Sequence, residues 1–155
     1  MDARQSPTAL NPWIWERNVC AGVACLVSVC LFSAAHARQA LFEELGGEPV
    51  IRSVIESLVH DIQEDENLMV LFEFTNFEVF SELLYEHLCT VTDGPCEYAG
   101  RTMTEVHLGL YITEAEFNHF VDDLQRIMDL HGIPFRTQNR LLARLAPMRD
   151  EIIYR

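Results

Sequence analysis

The feature that most constrains the fold is the stretch at residues 93–107, where a turn-forming segment passes directly into a helical pattern. Two glycines and a proline lie within seven residues at its start, and this density excludes a regular helix there. Beyond them the pattern becomes helical, so Met103 and His107, four residues apart, share one helix face. Apolar residues follow His107, and a neutral imidazole beside apolar surface could offer a lone pair to a metal. A core or rim histidine without a ligand is the alternative.

The chain beyond residue 40 shows the apolar period of amphipathic helices and no convincing alternation typical of a strand. Long helical segments are predicted to begin near Pro49, Asn76, Thr113 and Thr137. Asn76, Thr113 and Thr137 are the predicted N-caps of their helices. Thr113 also forms a predicted capping box with Glu116, three residues later. These patterns predict an all-α domain.

Length and charge limit the classes of function that are compatible with this chain. Its 155 residues suffice for one domain and a short additional segment, and 49% of them are apolar, which is enough for an ordinary core. The net charge is −13, and all 11 basic residues are arginines that form no basic run. No nucleic-acid partner is expected, because this charge would repel phosphates.

The first 37 residues differ from the rest. A nearly uninterrupted apolar run at residues 19–35 ends near Ala35-His36-Ala37, a small-x-small pattern that favours cleavage before Arg38. Residues 1–37 are therefore predicted to be a signal peptide. An uncleaved membrane anchor is the alternative, because about 17 apolar residues are near the minimum for a span. In both cases residues 38–155 form an exported domain, expected in the periplasm, and a retained leader would contact the membrane only through the apolar run.

The exported domain keeps two cysteines, Cys89 and Cys96. An oxidising compartment permits a disulfide between them, provided that their Cα atoms approach within about 7 Å. Two separate thiols are the alternative.

Three stretches, in order and spacing, resemble the group 1 truncated haemoglobins. They are Leu41-Phe-Glu-Glu-Leu-Gly-Gly47, Gly94-Pro-Cys-x-Tyr-x-Gly-Arg-x-Met-x-x-x-His-x-Gly-Leu-x-Ile-Thr113 and Leu145-Ala-Pro-Met-Arg149. The resemblance covers nearly all of residues 40–153. It implies a truncated globin fold, a two-over-two helical sandwich. In that fold the helix pairs would be 48–63 with 77–92 and 114–131 with 137–153.

The same resemblance implies haem b as the cofactor and His107 as the proximal ligand of its iron. Met103 would lie against the porphyrin on the same side. Tyr98 and Arg101 are the candidates for contact with a haem propionate. The remaining positions expected to line the pocket, for which ordinary core packing is the alternative, are Phe72, Leu88, Phe117 and Leu145.

On the opposite, distal side the chain departs from better-known members of the family. Many of them place a tyrosine and a glutamine there, but the spacing from His107 puts Val59 and Leu84 at those positions and Phe80 at the other distal position. None of the three can donate a hydrogen bond. Losing two such bonds, each worth about 1 kcal/mol, should speed dioxygen release by about ten- to hundredfold. His87 points to the same side and could donate to a bound ligand, ligate the iron, or face a propionate or solvent.

The main hypothesis is therefore a haem b protein that binds a diatomic gas, O2, NO or CO, through one open iron position. An electron donor of unknown identity would be required for any redox activity. NO dioxygenase or peroxidase-like side activity on the iron is left open. No residue is a clear acid–base catalyst for either reaction. The alternatives are a haem-free helical interaction module and a periplasmic haem carrier or sensor.

Overall fold

The computed structural model describes residues 41–155, so the leader expected at residues 1–37 lies outside the described part of the chain. Residues 41–155 contain helices and turns but no strand, and the all-α prediction is confirmed. Within this part of the chain no helix combines the length and the apolar character needed to cross a membrane.

Six α-helices follow a helical turn at residues 41–44. They are α1 Gly47–Glu64, α2 Glu66–Met69, α3 Phe77–Val91, α4 Met103–His107, α5 Glu114–Leu130 and α6 Phe135–Leu145. Two 3-10 helices complete the description, Val70–Phe72 after α2 and Ala146–Glu151 after α6.

The corner before α1 requires glycine. Gly46 has φ 96°, in the left-handed region, and a Cβ there would lie 2.4 Å from Cγ2 of Val50. The turn allows the helical residues 41–44 to fold back, so that Leu41 and Leu45 become buried against the main helices. Gly46 and Gly47, both with positive φ, therefore make a tight corner.

Most of the predicted helix starts are correct. Asn76 caps α3, accepting hydrogen bonds from the backbone N–H groups of Glu78 and Val79 at 3.0 and 3.2 Å. Thr113 and Glu116 form the predicted capping box at α5. Asp65, which follows the last residue of α1, caps the short helix α2.

The prediction that Thr137 caps the last helix is wrong. The helix α6 begins at Phe135, three residues earlier than a cap at Thr137 implies, and Pro134 is its N-cap residue. Thr137 is buried inside that turn, and its backbone N–H donates to the Pro134 carbonyl at 2.8 Å. Gln138, also buried, holds the start of the helix by donating to the Ile133 carbonyl at 2.9 Å. The threonine hydroxyl is therefore not needed as a cap.

The long helices form two packed pairs, α1 with α3 and α5 with α6. The pairs pack on each other through contacts of α1 with α5 and of α3 with α6. Apolar side chains of α1 and α5 dominate the centre of the core, and they include Ile51, Val54, Ile55, Leu58, Ile62, Leu124, Ile127 and Met128. Burial of each such side chain contributes about 1.5–3 kcal/mol to folding. The predicted two-over-two helical sandwich is confirmed.

Candidate functional site

The short helix α4 carries His107 and is stabilised by a capping box. Thr102 Oγ1 accepts from the Glu105 backbone N–H at 3.3 Å, and Glu105 Oε2 accepts from the Thr102 backbone N–H at 2.9 Å. Such reciprocal bonds matter most for a helix of five residues, because a single turn is costly to nucleate. The Thr-x-x-Glu signature of this capping box is visible in the sequence at Thr102 and Glu105.

The orientation of the His107 ring follows from one hydrogen bond. Nδ1 of His107 lies 2.7 Å from the Met103 backbone oxygen. A carbonyl oxygen can only accept, so Nδ1 carries the proton and Nε2 of the neutral ring keeps its lone pair. This is the arrangement in which histidines bind metals, since the bond at one nitrogen fixes the tautomer and the ring plane. His107 is half-buried.

His87, on α3, lies near His107. Burial lowers the pKa of His87, and the positive charge that His107 carries when protonated lowers it further. The His87 ring meets the ring of Tyr98 edge to face, with centroids 5.2 Å apart. His87 is therefore neutral at pH 7, and one of its ring nitrogens can donate while the other accepts.

The helices α3 and α4, which carry these two histidines, are not packed on each other. Among the described elements α4 packs against the 3-10 helix Ala146–Glu151 and makes no comparable packing contact with α3. We refer to the space between α3 and α4 as the cleft.

The apolar side chains expected to line the cleft differ from the core in their burial. Leu88 is buried, at 5% exposure, whereas the others are only half-buried. The half-buried ones are Val59, Phe72, Phe80, Leu84, Met103, Phe117 and Leu145. Half-buried apolar side chains are suited to receive an apolar ligand. The residue types and the free Nε2 of His107 therefore fit a haem.

Aromatic packing brings several of these residues together. Phe72 and Phe80 meet edge to face with ring centroids 5.3 Å apart, and Phe77 contacts both rings. Val59 packs against the core and also borders a depression of about 310 Å³ between α1 and α3. The sequence did not single out Phe77, although its place at the start of α3 is part of the same apolar face.

The loop from α3 to α4 is tied to α3 at several points. A disulfide joins Cys89, at the end of α3, to Cys96, which selects between the two alternatives left open by the sequence. The backbone N–H of Ala99 donates to Glu86 at 3.2 Å. The Tyr98 hydroxyl, expected to reach a propionate, donates to the Arg101 carbonyl at 2.9 Å, while Arg101 itself is exposed. Burial raises the pKa of Tyr98, so its hydroxyl remains protonated.

The turn after His107 is held by a remote segment. Gly109 and Tyr111 both have positive φ, 88° and 50°, and both backbone N–H groups donate to the Arg155 backbone oxygen at 3.0 Å. Tyr154 donates its backbone N–H to Ile112 at 2.9 Å. These bonds hold the segment that follows the histidine, and local sequence carries no signal for them.

Comparison with known proteins agrees with this architecture. The group 1 truncated haemoglobin of Nostoc commune is 27% identical over 113 residues, which are 73% of this chain and 96% of that protein. The group 1 truncated haemoglobin of Mycolicibacterium paratuberculosis is 28% identical over 112 residues, 72% of this chain and 82% of that protein.

Solved structures agree at the level of the fold. The truncated haemoglobin from Tetrahymena pyriformis in its Fe(III) form superposes with a TM-score of 0.71 at 21% identity, covering 74% of this chain and 98% of that one. The family model described as bacterial-like globin matches residues 40–154, which is most of the chain. The chain therefore belongs to the bacterial-like globin family, with group 1 truncated haemoglobins among its relatives.

Proposed function

We propose that this globin binds haem b through His107 and takes a diatomic gas on the opposite side of the cleft. The observation that carries the proposal is the 2.7 Å hydrogen bond from His107 Nδ1 to the Met103 carbonyl, because it leaves Nε2 as a metal-binding nitrogen. A haem bound there would be held by His107 and would supply an iron that can bind a gas.

The chain contributes the surroundings of that iron. His107 fixes one side, and Met103, one turn earlier, lies beside it on α4. Phe72 and Phe80 supply flat apolar surface for the porphyrin, and Leu88 helps to exclude water. Exclusion of water strengthens electrostatic interactions in the cleft.

The distal side of the proposed site favours NO or CO over tightly held O2. Val59, Phe80 and Leu84 offer no hydrogen-bond donor, and bound O2 depends on such donors more than NO or CO does. His87 is the nearby polar group, since its neutral ring can donate one hydrogen bond or bind metal through a free nitrogen. Direct ligation of iron by His87 would require α3 to approach α4.

The cellular setting is part of the same proposal. An exported globin, delivered by residues 1–37, would meet gases outside the cytoplasm and would need an electron donor there. NO dioxygenation and peroxidase-like reactions would depend on that donor, and the cleft offers no clear acid–base catalyst for either.

The direct test is titration of the purified chain with haemin, followed by absorption spectroscopy. We expect a Soret band at one equivalent for the wild type and a large loss of affinity for His107→Ala. His107→Gly should regain the band when imidazole is added, because the free ring can occupy the vacated position. The matched control is His60→Ala, since His60 is exposed on α1 and should leave the titration unchanged.

Other outcomes point to the alternatives. A wild type that stays colourless would contradict the proposal and favour a haem-free interaction module. Binding followed by rapid transfer of haem to apomyoglobin would favour a carrier. A band that His107→Ala does not change would assign the iron to another ligand.

A further inference from the structure

A second group of metal-binding side chains lies outside the cleft. Asp65 precedes α2, while His119 and Asp123 lie one turn apart on α5. Nε2 of His119 is 2.9 Å from Oδ2 of Asp65 and 3.5 Å from Oδ2 of Asp123. One nitrogen and two oxygens, from residues far apart in sequence, therefore converge within 4.8 Å of one another.

Both carboxylates are oriented by their other oxygen. Oδ1 of Asp65 accepts from the backbone N–H groups of Asn67 and Leu68 at 2.7 and 3.3 Å. Oδ1 of Asp123 accepts from Arg126 at 3.0 Å. Each carboxylate thus turns Oδ2 toward Nε2 of His119. Bonds of this kind orient the ligands of protein metal sites.

The distances between these three ligand atoms can be compared with those in a zinc site. Zinc binds nitrogen and oxygen ligands at about 2.0–2.2 Å, which places neighbouring ligand atoms about 3.0–3.5 Å apart. The separations from Nε2 of His119 are 3.5 Å, at the upper end of that range, and 2.9 Å, just below it, and the two carboxylate oxygens lie within 4.8 Å of each other. The three side chains are part-exposed, at 41% for His119, 23% for Asp65 and 16% for Asp123, so water can complete the coordination.

The surrounding charge attracts cations. Asp65 and Asp123 border a depression of about 480 Å³, whose other lining residues are Asp61, Glu64, Glu66, Asn67 and Arg126. Its lining carries five carboxylates and one guanidinium. Arg126 pairs with Asp61 and Asp123 and opposes an incoming cation, but the remaining charge is negative.

We propose that Asp65, His119 and Asp123 bind a divalent transition-metal ion such as Zn²⁺. The imidazole nitrogen favours zinc over Mg²⁺ and Ca²⁺, which prefer oxygen ligands alone. The site is separate from His107 and does not depend on haem. Its position links the start of α2 to α5, so bound metal would stabilise the contact between these helices.

The test is zinc titration of the haem-loaded full chain in competition with a chromogenic chelator. We expect one site in the wild type, weakened at least about tenfold by His119→Gln and by Asp65→Asn. Asparagine caps helices as well as aspartate does, so Asp65→Asn removes a ligand charge and keeps the cap. Thermal unfolding without zinc verifies that each variant is folded.

Two controls make the result specific. Cys20, Cys25, Cys30 and His36 are present in every variant, so only the difference from wild type counts. His60→Gln removes an exposed histidine elsewhere and should leave zinc affinity unchanged.

Arg126→Gln provides a test in which zinc affinity is expected to rise rather than fall. It removes the opposing positive charge and should raise zinc affinity several-fold, although it also removes one of the hydrogen bonds that orient Asp123. A fall in affinity would overturn the electrostatic argument. The proposal as a whole would be overturned by equal zinc binding in wild type and His119→Gln, or by equal competition from Mg²⁺.

Discussion

His87 shows how one residue near the cleft can link pH to stability. Its pKa in the folded chain is lowered, first by burial and then by His107, whereas in the unfolded chain it returns to about 6.5. The unfolded chain therefore binds more protons in the window below about pH 6.5, so stability falls as pH falls through that window.

We predict that haem-free protein loses unfolding free energy between pH 7.5 and pH 5, and that His87→Phe flattens the loss. Phenylalanine keeps the apolar contact with Tyr98 but cannot titrate. Urea unfolding at both pH values measures the effect. The shifted carboxyl groups Asp65, Glu82, Glu105 and Glu116 titrate at lower pH, because their pKa values are lowered. An identical pH dependence in both proteins would contradict the assignment to His87.

At the scale of elements, α4 and α5 begin with the same capping motif. Thr102 with Glu105 and Thr113 with Glu116 make equivalent capping boxes, but α4 has five residues and α5 has seventeen. Loss of a cap should therefore fray most of α4 and only one end of α5.

We predict that Thr102→Ala and Thr113→Ala each lower the unfolding free energy by about 1 kcal/mol. Only Thr102→Ala should also weaken haem binding, because it loosens the helix that orients His107. The two variants are matched controls in stability, and haemin titration separates them. Equal haem affinity in the two proteins would show that α4 does not depend on its cap.

The observed helix starts also show which capping patterns in the sequence are sufficient to predict where a helix begins. Asn76 and Thr113 cap their helices as predicted, because each side chain accepts from backbone N–H groups two or three residues later. Thr137 was predicted wrongly because Gln138 and Pro134 fix the start of α6 through contacts that the cap pattern does not include. Asp65 lies between α1 and α2, and only the short helix that follows it reveals its capping role.

At the scale of the whole molecule, the disulfide Cys89–Cys96 restricts the unfolded chain as well as the folded one. It closes a short loop, with a sequence separation of 7, between α3 and the segment that leads to α4. Chain-entropy arguments give about 2–3 kcal/mol for a loop of this size.

We predict that the double variant Cys89→Ala/Cys96→Ala loses about 2–3 kcal/mol of unfolding free energy and releases haem faster than the oxidised wild type. Alanine suits position 89 because Cys89 is fully buried, at 0% exposure. Urea unfolding and haem transfer to apomyoglobin measure the two effects. Wild type treated with a reductant should behave like the variant, and a variant as stable as oxidised wild type would contradict the prediction.

The sequence by itself determined the helices, the breaks at glycine and proline, and the face of α4 that carries His107. These features depend on contacts between residues three or four apart, and such contacts follow from helical geometry alone. The resemblance carried by the stretches around residues 41–47 and 94–113 was sufficient to predict the two-over-two arrangement.

Only the tertiary structure decided which distant side chains meet. Helix packing brings His119 to Asp65, and Arg155 reaches the backbone beyond His107. The pairing of Cys89 with Cys96 and the approach of His87 to Tyr98 were likewise decided by the path of a loop. Such distances depend on how whole helices pack and how loops close, because the energies involved are summed over many side chains and no local pattern encodes them.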